Sequence, residues 1–118
     1  MRAIVVHEAG GPDVLKVEEV PDPAVSNGLV PVRVEAAAVN HFDISQRTAP
    51  EMSGANPPFT PGVDAAGTRI DTGERVLVTG VKGAYAEVLG APPESLRPIP
   101  DSLDSARAAA LGVAYKTA

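Results

Sequence analysis

Hydrophobic and polar residues alternate with a period of two along much of this chain, in short runs that end at glycine or proline. The clearest run covers residues 29–37, where Val30, Val32 and Val34 alternate with Arg33 and other residues of the opposite face. Because successive side chains of a strand point to opposite sides, this pattern predicts a half-buried β-strand.

Further short segments have the apolar content of strands and stop at turn residues. The sequence predicts strands over residues 3–7, 14–20, 63–70, 75–78, 84–88 and 95–99. Asn27-Gly28 is a strong turn dipeptide ahead of the clearest strand, and Gly67 interrupts the pattern of its own segment. Many short strands with few helices indicate a mainly β fold, a partly open β-barrel.

The helical signals are few and short. Residues 40–47 are polar and weakly helical, so we expect a short helical segment near the middle, and residues 48–61 form a long proline-rich loop. Near the C-terminal end, Ser102 is the expected N-cap of a helix that stops at Gly112. Residues 113–118 begin another helical pattern without a cap, from which we expect a truncated chain.

Length and composition restrict the class of protein. The 118 residues suit one domain, residues 1–118, and hydrophobic residues make up 44%. Aromatic residues make up only 3% and tryptophan is absent, so the core must consist of valine, isoleucine, leucine and alanine.

Charge and cysteine content exclude several functions. The net charge is −5 and the 10 lysines and arginines are scattered, which argues against a nucleic-acid partner. The absence of cysteine removes disulfides, thiolate catalysis and cysteine-type zinc sites, and fits a cytoplasmic protein. The N-terminal apolar run is too short for a signal peptide or a membrane span, so no membrane partner is expected.

The residues alone reveal little chemistry. A dinucleotide site needs a glycine-rich turn between a strand and a helix, and Gly80-Val-Lys-Gly83 lies between two predicted strands, so we interpret it as a hairpin turn. His41 and Asp43 are the only closely spaced pair of metal-ligand type, and two ligands do not complete a zinc site. Lining a cleft or loop is the favoured interpretation of both residues. The polar segment of residues 40–47 and the proline-rich loop facing it are expected to form one wall of a cleft.

Two other candidate groups have simpler structural explanations. Ser45, His41 and Asp43 form a catalytic triad only on paper, because residues so close along one segment do not reach the required geometry. His7 follows a buried strand and is expected to be a hydrogen-bonded structural residue.

A series of short motifs, in a fixed order, resembles the quinone oxidoreductases of the medium-chain dehydrogenase/reductase superfamily. The motifs are Ile4-Val-Val-His-Glu-Ala-Gly-Gly-Pro-Asp-Val-Leu15, Glu18-Glu-Val-Pro-Asp-Pro23, Val32-Arg-Val34, Ala36-Ala-Ala-Val-Asn-His-Phe-Asp43, Pro61-Gly-Val-Asp-Ala-Ala-Gly67, Gly73-Glu-Arg-Val76, Gly83-Ala-Tyr-Ala-Glu87, Leu96-Arg-Pro-Ile-Pro100 and Ala108-Ala-Ala-Leu-Gly112. Each motif is weak alone, but together they extend over nearly the whole chain.

The resemblance implies a GroES-like barrel, in agreement with the strand pattern. It also implies NADPH, bound mostly by a Rossmann domain that this chain does not contain, and it implies that the chain lacks a last piece of its own barrel. The 118 residues alone are therefore predicted to be inactive and to self-associate as homo-oligomers, through open strand edges or the helical end from Leu111 to Tyr115.

The resemblance also bears on zinc. In zinc alcohol dehydrogenases a cysteine stands at the position of Asn40, and a His-Glu pair follows the glycine equivalent to Gly62, where this chain has Val63 and Asp64. This resembles the zinc-independent branch, in which NADPH passes hydride to a quinone or an activated alkene.

The same resemblance supplies the candidates for the substrate and cofactor cleft, which are Asn40, His41, Asp43, Arg47 and Asp64. Asn40 is expected near the nicotinamide ribose or the substrate, with Asp43 supporting its loop. Asp64 has an alternative role, bonding the backbone around Gly62. Tyr85 is expected to pack in the core or a hairpin and not to act in catalysis.

The chain departs from the family at two places. His41 and Phe42 stand where small residues or proline are common, which affects the size of the substrate, and the stretch from Thr68 to Glu74 is shorter than the family's strand-and-turn excursion.

These features lead to one functional expectation and one alternative. The chain is expected to be the substrate-side domain of an NADPH-dependent oxidoreductase acting on a quinone, an enone or a related carbonyl compound without a metal. The alternative is a stand-alone barrel that binds a ligand or itself and catalyses nothing.

Overall fold

A computed structural model describes residues 1–23 and 28–112 of the chain. Asn27 of the predicted turn and the predicted helical pattern of residues 113–118, with Tyr115 of the proposed helical exchange, lie outside this range. The strands are β1 (Arg2–Val5), β2 (Lys16–Glu19), β3 (Val30–Ala37), β4 (Asp64–Arg69), β5 (Arg75–Thr79), β6 (Val88–Ala91) and β7 (Leu96–Pro98), and the helices are α1 (His41–Thr48), α2 (Pro50–Ser53) and α3 (Ser105–Ala110).

The strands form two antiparallel sheets that do not close into a complete barrel. Strands β1 and β2 pair with each other, and the other strands form a five-stranded sheet in the order β6-β3-β4-β5-β7. Isolated bridges from Ala3 to Ala86 and from Val6 to Phe59 connect the small sheet to the rest of the fold. This confirms the mainly β, partly open architecture with a short helix near the middle and another near the C-terminal end.

The predicted alternation along β3 is confirmed. Val30 and Val32 are buried and Val34 is half-buried, whereas Arg33 and Glu35 are exposed. The strand pairs with β4 on one side and β6 on the other. Val30 and Val32 belong to the larger hydrophobic core, and Val34 packs against it.

The five-stranded sheet has a separate core on each face, because neighbouring residues of β4 point in opposite directions. Ala65 belongs to the larger core and Ala66 packs under α3. The larger core contains Val30, Val32, Ala65, Val76, Val78, Val81, Ala84, Leu89 and Ala91. Ile99, Ala108 and Ala109 complete the second core. Because α3 and the facing side of β4 both present alanine side chains, the helix lies close to the sheet.

Gly67 does not interrupt its strand as the sequence pattern suggested. It lies within β4 opposite Val34, where the pairing of β3 with β4 shifts register. A Cβ built on Gly67 would overlap the carbonyl oxygen of Arg33. Glycine is therefore needed here for the close approach of two backbones.

The predicted strand over residues 84–88 was wrong in its placement, because β6 begins only at Val88. The amides of Ala84 and Tyr85 donate to the carbonyls of Gly62 and Pro61, and the amide of Ile4 donates to the Tyr85 carbonyl. These bonds hold the segment in an irregular path between three other parts of the chain.

Two helix predictions also need correction. The N-cap of α3 is Asp104 and not Ser102, since the Asp104 carboxylate accepts a hydrogen bond from the Arg107 amide at 2.8 Å. The predicted loop over residues 48–61 contains the short helix α2, Pro50–Ser53, which is capped by Gly54 in a left-handed conformation. After α2, the backbone amides of Phe59 and Val6 each donate a hydrogen bond to the other residue's carbonyl oxygen.

The stretch from Thr68 to Glu74 connects β4 and β5 as a tight hairpin. The pairing extends from Asp64 opposite Thr79 to Thr68 opposite Arg75. Across residues 1–23 and 28–112, no helix is both long and apolar enough to cross a bilayer.

Candidate functional site

A large cleft lies between α1, the loop that contains α2, and the turn after β5. Its volume is about 700 Å³, within the range of small-molecule sites. The lining residues are Phe42, Gln46, Ser53, Gly54, Ala55, Asn56, Phe59, Thr60, Gly62, Val63, Gly80, Val81, Lys82 and Gly83. We call this space the main cleft.

The lining of the main cleft is unusual for this sequence. The chain has only two phenylalanines, Phe42 and Phe59, and both line it. It has 15 aspartates and glutamates, yet none is among the described lining residues, whereas Lys82 is. The main cleft therefore combines aromatic surface with one cation and neutral polar groups.

A buried polar cluster lies at the base of α1. Asn40, directly before the helix, is 8% exposed, and its side-chain Nδ2 donates to Oδ2 of Asp64 at 3.0 Å. The backbone amide of Asn40 donates to Oδ2 of Asp43 at 2.9 Å. Asn40 thus holds two buried carboxylates, one on the helix and one at the start of β4.

Tyr85 completes this cluster from the irregular segment before β6. Its hydroxyl donates to Oδ2 of Asp43 at 2.8 Å and contacts the carbonyl oxygen of Ala38 at 3.4 Å. Burial, reinforced by the Asp43 carboxylate, raises the pKa of the Tyr85 phenol far above its usual value of 10.0. The hydroxyl therefore remains a hydrogen-bond donor at neutral pH.

Asp64 is 1% exposed and lies between two segments. Its carboxylate accepts from Asn40, and a Cβ placed on Gly112 would overlap that carboxylate. Its backbone carbonyl accepts from the Ala38 amide at 3.1 Å. The described side-chain hydrogen bond of Asp64 is with Asn40. The bond to the backbone around Gly62 stays a prediction.

The remaining predicted residues lie at separate places. His41 is exposed at the start of α1. Arg47 donates from Nε to the Gly10 carbonyl at 3.2 Å, and the Gly10 amide donates to the Arg47 carbonyl at 3.1 Å. Arg47 thus attaches the end of α1 to the loop between β1 and β2. The structure unites Asn40, Asp43 and Asp64 but leaves His41 and Arg47 outside the cluster.

The structure also tests the two groups for which a structural explanation was expected. Asp43 is buried while His41 and Ser45 are exposed on the same helix. These three side chains are therefore not arranged as a catalytic triad. His7 has a ring nitrogen 2.5 Å from Oε2 of Glu18, which confirms the expected hydrogen bond, but its side chain is 55% exposed.

The structure confirms that the segment of residues 40–47 and the proline-rich loop facing it line a cleft, but the individual lining residues were not selected from the sequence. None of the predicted site residues lines the main cleft, although helix α1, which carries His41, Asp43 and Arg47, contributes Phe42 and Gln46 to its lining. The spacing of four residues along one helix and the scarcity of phenylalanine were the available signals. The predicted hairpin at Gly80–Gly83 was wrong, because β5 and β6 are not paired with each other and the turn leads from β5 into an irregular segment. The contribution of Lys82 had no sequence signal, because this turn comes into position only through the tertiary fold.

A smaller cavity of about 340 Å³ lies between the end of β3 and α3. It is lined by Val39 and Asn40 and by alanines from the end of β3, from the residue after it, and from α3. Asn40 is thus the point at which the polar cluster reaches an open space.

The described residues contain no group of three histidine, cysteine, aspartate or glutamate side chains that fits a metal ion. At the three positions of interest, Asn40 supplies an amide, Val63 a hydrocarbon and Asp64 a carboxylate already bonded to Asn40. This donor set does not fit a tetrahedral zinc site.

Comparison with known proteins gives a consistent result. Residues 26–101 match the model of the alcohol dehydrogenase GroES-like domain family. The whole chain aligns with the quinone oxidoreductase of Lama guanicoe at 37% identity and with that of Homo sapiens at 33%, and it spans 39% of the length of each.

Solved structures agree. The quinone oxidoreductase of Thermus thermophilus, also solved in complex with NADPH, superposes with a TM-score of 0.83 at 34% identity over 93% of this chain and 36% of that one. A human synaptic vesicle membrane protein VAT-1 homolog-like protein gives a TM-score of 0.87 at 28% identity, over 93% of this chain and 38% of that one.

Proposed function

This chain belongs to the alcohol dehydrogenase GroES-like domain family, a family of oxidoreductases, and we propose that it forms the substrate-side domain of an NADPH-dependent reductase. The acceptor of the hydride is a quinone, an enone or a related carbonyl compound, and no zinc takes part. The observation that carries this proposal is the main cleft, with both phenylalanines of the chain in its lining. Flat, apolar walls suit a planar conjugated acceptor.

Similarity to quinone oxidoreductases, one of them solved with NADPH, supports the choice of cofactor. The described residues offer no glycine-rich turn at the start of a helix for the pyrophosphate, since the Gly80–Gly83 turn connects β5 to an irregular segment. We therefore assign the phosphates of NADPH to a Rossmann domain outside these 118 residues. The nicotinamide supplies the hydride when it is bound.

The role of this chain is to position the acceptor and exclude water. In this proposal the main cleft holds the acceptor, and Asn40, which lines the smaller cavity, lies near the nicotinamide ribose or the substrate. The bond from Asn40 to Asp64 and the bond from Tyr85 to Asp43 orient the start of α1. Asp43 and Asp64 act in this scheme as supports for Asn40.

The donor set supports catalysis without zinc. A catalytic zinc ion takes three protein ligands, commonly cysteine and histidine, and the chain has no cysteine at all. Its two histidines, His7 and His41, are both exposed, one shortly after β1 and the other at the start of α1. Polarisation of the acceptor must then come from hydrogen bonds and from the nicotinamide geometry.

The test is a hydride-transfer assay on the full-length protein that contains these residues. We expect NADPH oxidation with 1,4-naphthoquinone that persists after treatment with a chelator. Phe42→Ala should lower kcat/KM about tenfold, because the acceptor loses a wall of the cleft. The matched control is Met52→Ala, since Met52 is 87% exposed and does not line the main cleft. No activity with any quinone or enone, or activity that follows added zinc, would overturn the proposal.

The 118 residues alone are expected to bind NADPH only weakly and not to oxidise it. A calorimetric titration checks this, and tight one-to-one binding would contradict the assignment of the phosphates to another domain. Self-association as homo-oligomers also stays a prediction, and a strictly monomeric species in light scattering at high concentration would contradict it.

A further inference from the structure

We infer that Lys82 is a specificity-determining residue of the main cleft and selects planar aromatic acceptors that carry an anionic substituent, such as a carboxylate or an ionised hydroxyl. The reduction of such acceptors rests on the proposed function, whereas their binding is tested independently of it. The inference goes further by assigning a charge preference to the site.

The first observation is the isolation of Lys82. It is exposed, lies in the turn between β5 and the irregular segment, and takes part in none of the ion pairs or side-chain hydrogen bonds among the described residues. Other cations of the described structure, such as Arg69 and Arg107, are paired with neighbouring carboxylates. Lys82 is therefore available to a ligand.

The second observation is the charge of the surroundings. The chain as a whole has a net charge of −5, which would repel an anion. The described lining of the main cleft nevertheless contains no carboxylate, and Lys82 is its only charged residue. An anionic group in the cleft thus meets one ammonium and no opposing charge at contact distance.

The third observation is the combination of this charge with aromatic surface. Phe42 on α1 and Phe59 on the loop after α2 belong to the same lining as Lys82, and the neutral polar residues Gln46, Asn56 and Thr60 are also present. A ligand with an aromatic ring and one anionic substituent satisfies both parts of the site. A purely apolar ligand leaves the ammonium without a partner, and a small anion leaves the aromatic surface uncovered.

The turn that carries Lys82 is well supported. Gly80 and Gly83 both have positive φ angles, of 72° and 81°, which place Val81 in the core. The Val81 amide donates to the carbonyl of Val63 at 3.2 Å. Since Val81 anchors the turn, Lys82 can be substituted without disturbing its backbone.

The experiment compares two ligands of equal size that undergo no redox chemistry, 2-naphthoate and its neutral analogue 2-naphthamide. Binding to the chain is measured by calorimetry, with ¹H–¹⁵N NMR shifts of Phe42, Thr60 and Gly83 to locate the ligand. We expect 2-naphthoate to bind about three- to tenfold more tightly than the amide, the size of one ion pair at a solvent-accessible site.

Variants identify the source of the preference. Lys82→Met keeps the length of the side chain and should make the two affinities equal, whereas Lys82→Arg should retain the preference. Lys16→Met is the matched control, because Lys16 is exposed on β2 and does not line the main cleft. Equal affinities in the wild type, a preference that survives Lys82→Met, or no shift at the cleft amides with either ligand would each overturn the inference.

A further arm distinguishes an aromatic anion from a free phosphate as the natural partner of Lys82. Inorganic phosphate is added at constant ionic strength. Displacement of 2-naphthoate by phosphate alone, at comparable concentration, would assign Lys82 to a phosphate and overturn the inference. If 2-naphthoate selectivity is intact but the full-length protein reduces no quinone or enone, only the proposed reaction fails.

Discussion

The hydroxyl of Tyr85 donates a 2.8 Å hydrogen bond to the buried carboxylate of Asp43, connecting the segment before β6 to the first turn of α1. The same carboxylate oxygen accepts from the backbone amide of Asn40. The other carboxylate oxygen, Oδ1, is buried without a hydrogen-bond partner in the described part of the chain. The cluster therefore depends on few bonds, so that each should be important for stability.

Tyr85→Phe should lower the free energy of unfolding by about 1–3 kcal/mol, because it leaves a buried carboxylate with one donor fewer. Urea denaturation measures the change. In a double-mutant cycle with Asp43→Asn, the two effects should be non-additive by about 1 kcal/mol or more. Additive effects would show that the bond contributes nothing.

Tyr85 also predicts a pH dependence. Its pKa is raised in the folded chain, so the folded state holds the phenolic proton more tightly than the unfolded state does. The resulting stabilisation is complete below pH 10 and is lost as the pH rises beyond it. Phenolate absorbance should therefore appear at higher pH for Tyr85 than for a free tyrosine, as determined from the difference between wild type and Tyr85→Phe.

Asp43→Asn should shift this titration downward but not back to the usual value. Burial is the larger cause of the raised pKa and remains after the carboxylate is removed. A titration of Tyr85 that is the same in both proteins would contradict a role for Asp43.

Asn40→Asp should destabilise the fold by about 2 kcal/mol or more at neutral pH, because it replaces a donor to Asp64 by a second buried carboxylate. Stability should recover in acid, where one of the two carboxyls takes up a proton. The control is Asn56→Asp on an exposed part of the cleft lining, which should cost less than about 0.5 kcal/mol. Chemical denaturation at pH 4.5 and pH 7.5 distinguishes the two variants.

Ser105→Ala should raise the pKa of Glu35, which Ser105 holds below the usual value of 4.5 through a 2.6 Å hydrogen bond. A second bond from Thr68 acts in the same direction. Because the pKa of Glu35 is lowered on folding, its stabilising effect is present above pH 4.5 and is lost as the pH falls through the folded value. NMR titration of the Glu35 carboxyl measures the shift, and Thr68→Ala should give a smaller one.

Gly67→Ala should cost more than about 3 kcal/mol, because the new methyl group overlaps the carbonyl oxygen of Arg33 and two paired strands must separate. Gly73→Ala is the matched control, since Gly73 has a φ of 77° but open space around it. It should cost about 1 kcal/mol for the left-handed conformation alone. Equal costs at both positions, measured by thermal or urea unfolding, would contradict the close approach at Gly67.

The periodic pattern of the sequence was sufficient to predict those elements that have one buried and one exposed face. The alternation of valine with charged residues along β3 predicted both the strand and its buried face, because one side of that strand faces the core and the other faces solvent. The order of the short motifs was sufficient to identify the family. The residues of α1 were recognised as polar and helical, and Asn40, Asp43 and Asp64 were selected for attention.

The arrangement of those residues was decided by the tertiary structure. No local pattern shows that Tyr85 reaches Asp43 across 42 positions of sequence, or that Asp64 accepts from Asn40 across 24. The main cleft likewise takes residues from α1, a loop and the turn after β5, which are distant in sequence. Sequence periodicity records which side of an element is buried, whereas a cleft depends on where separate elements meet, and that is decided by the packing of the whole chain.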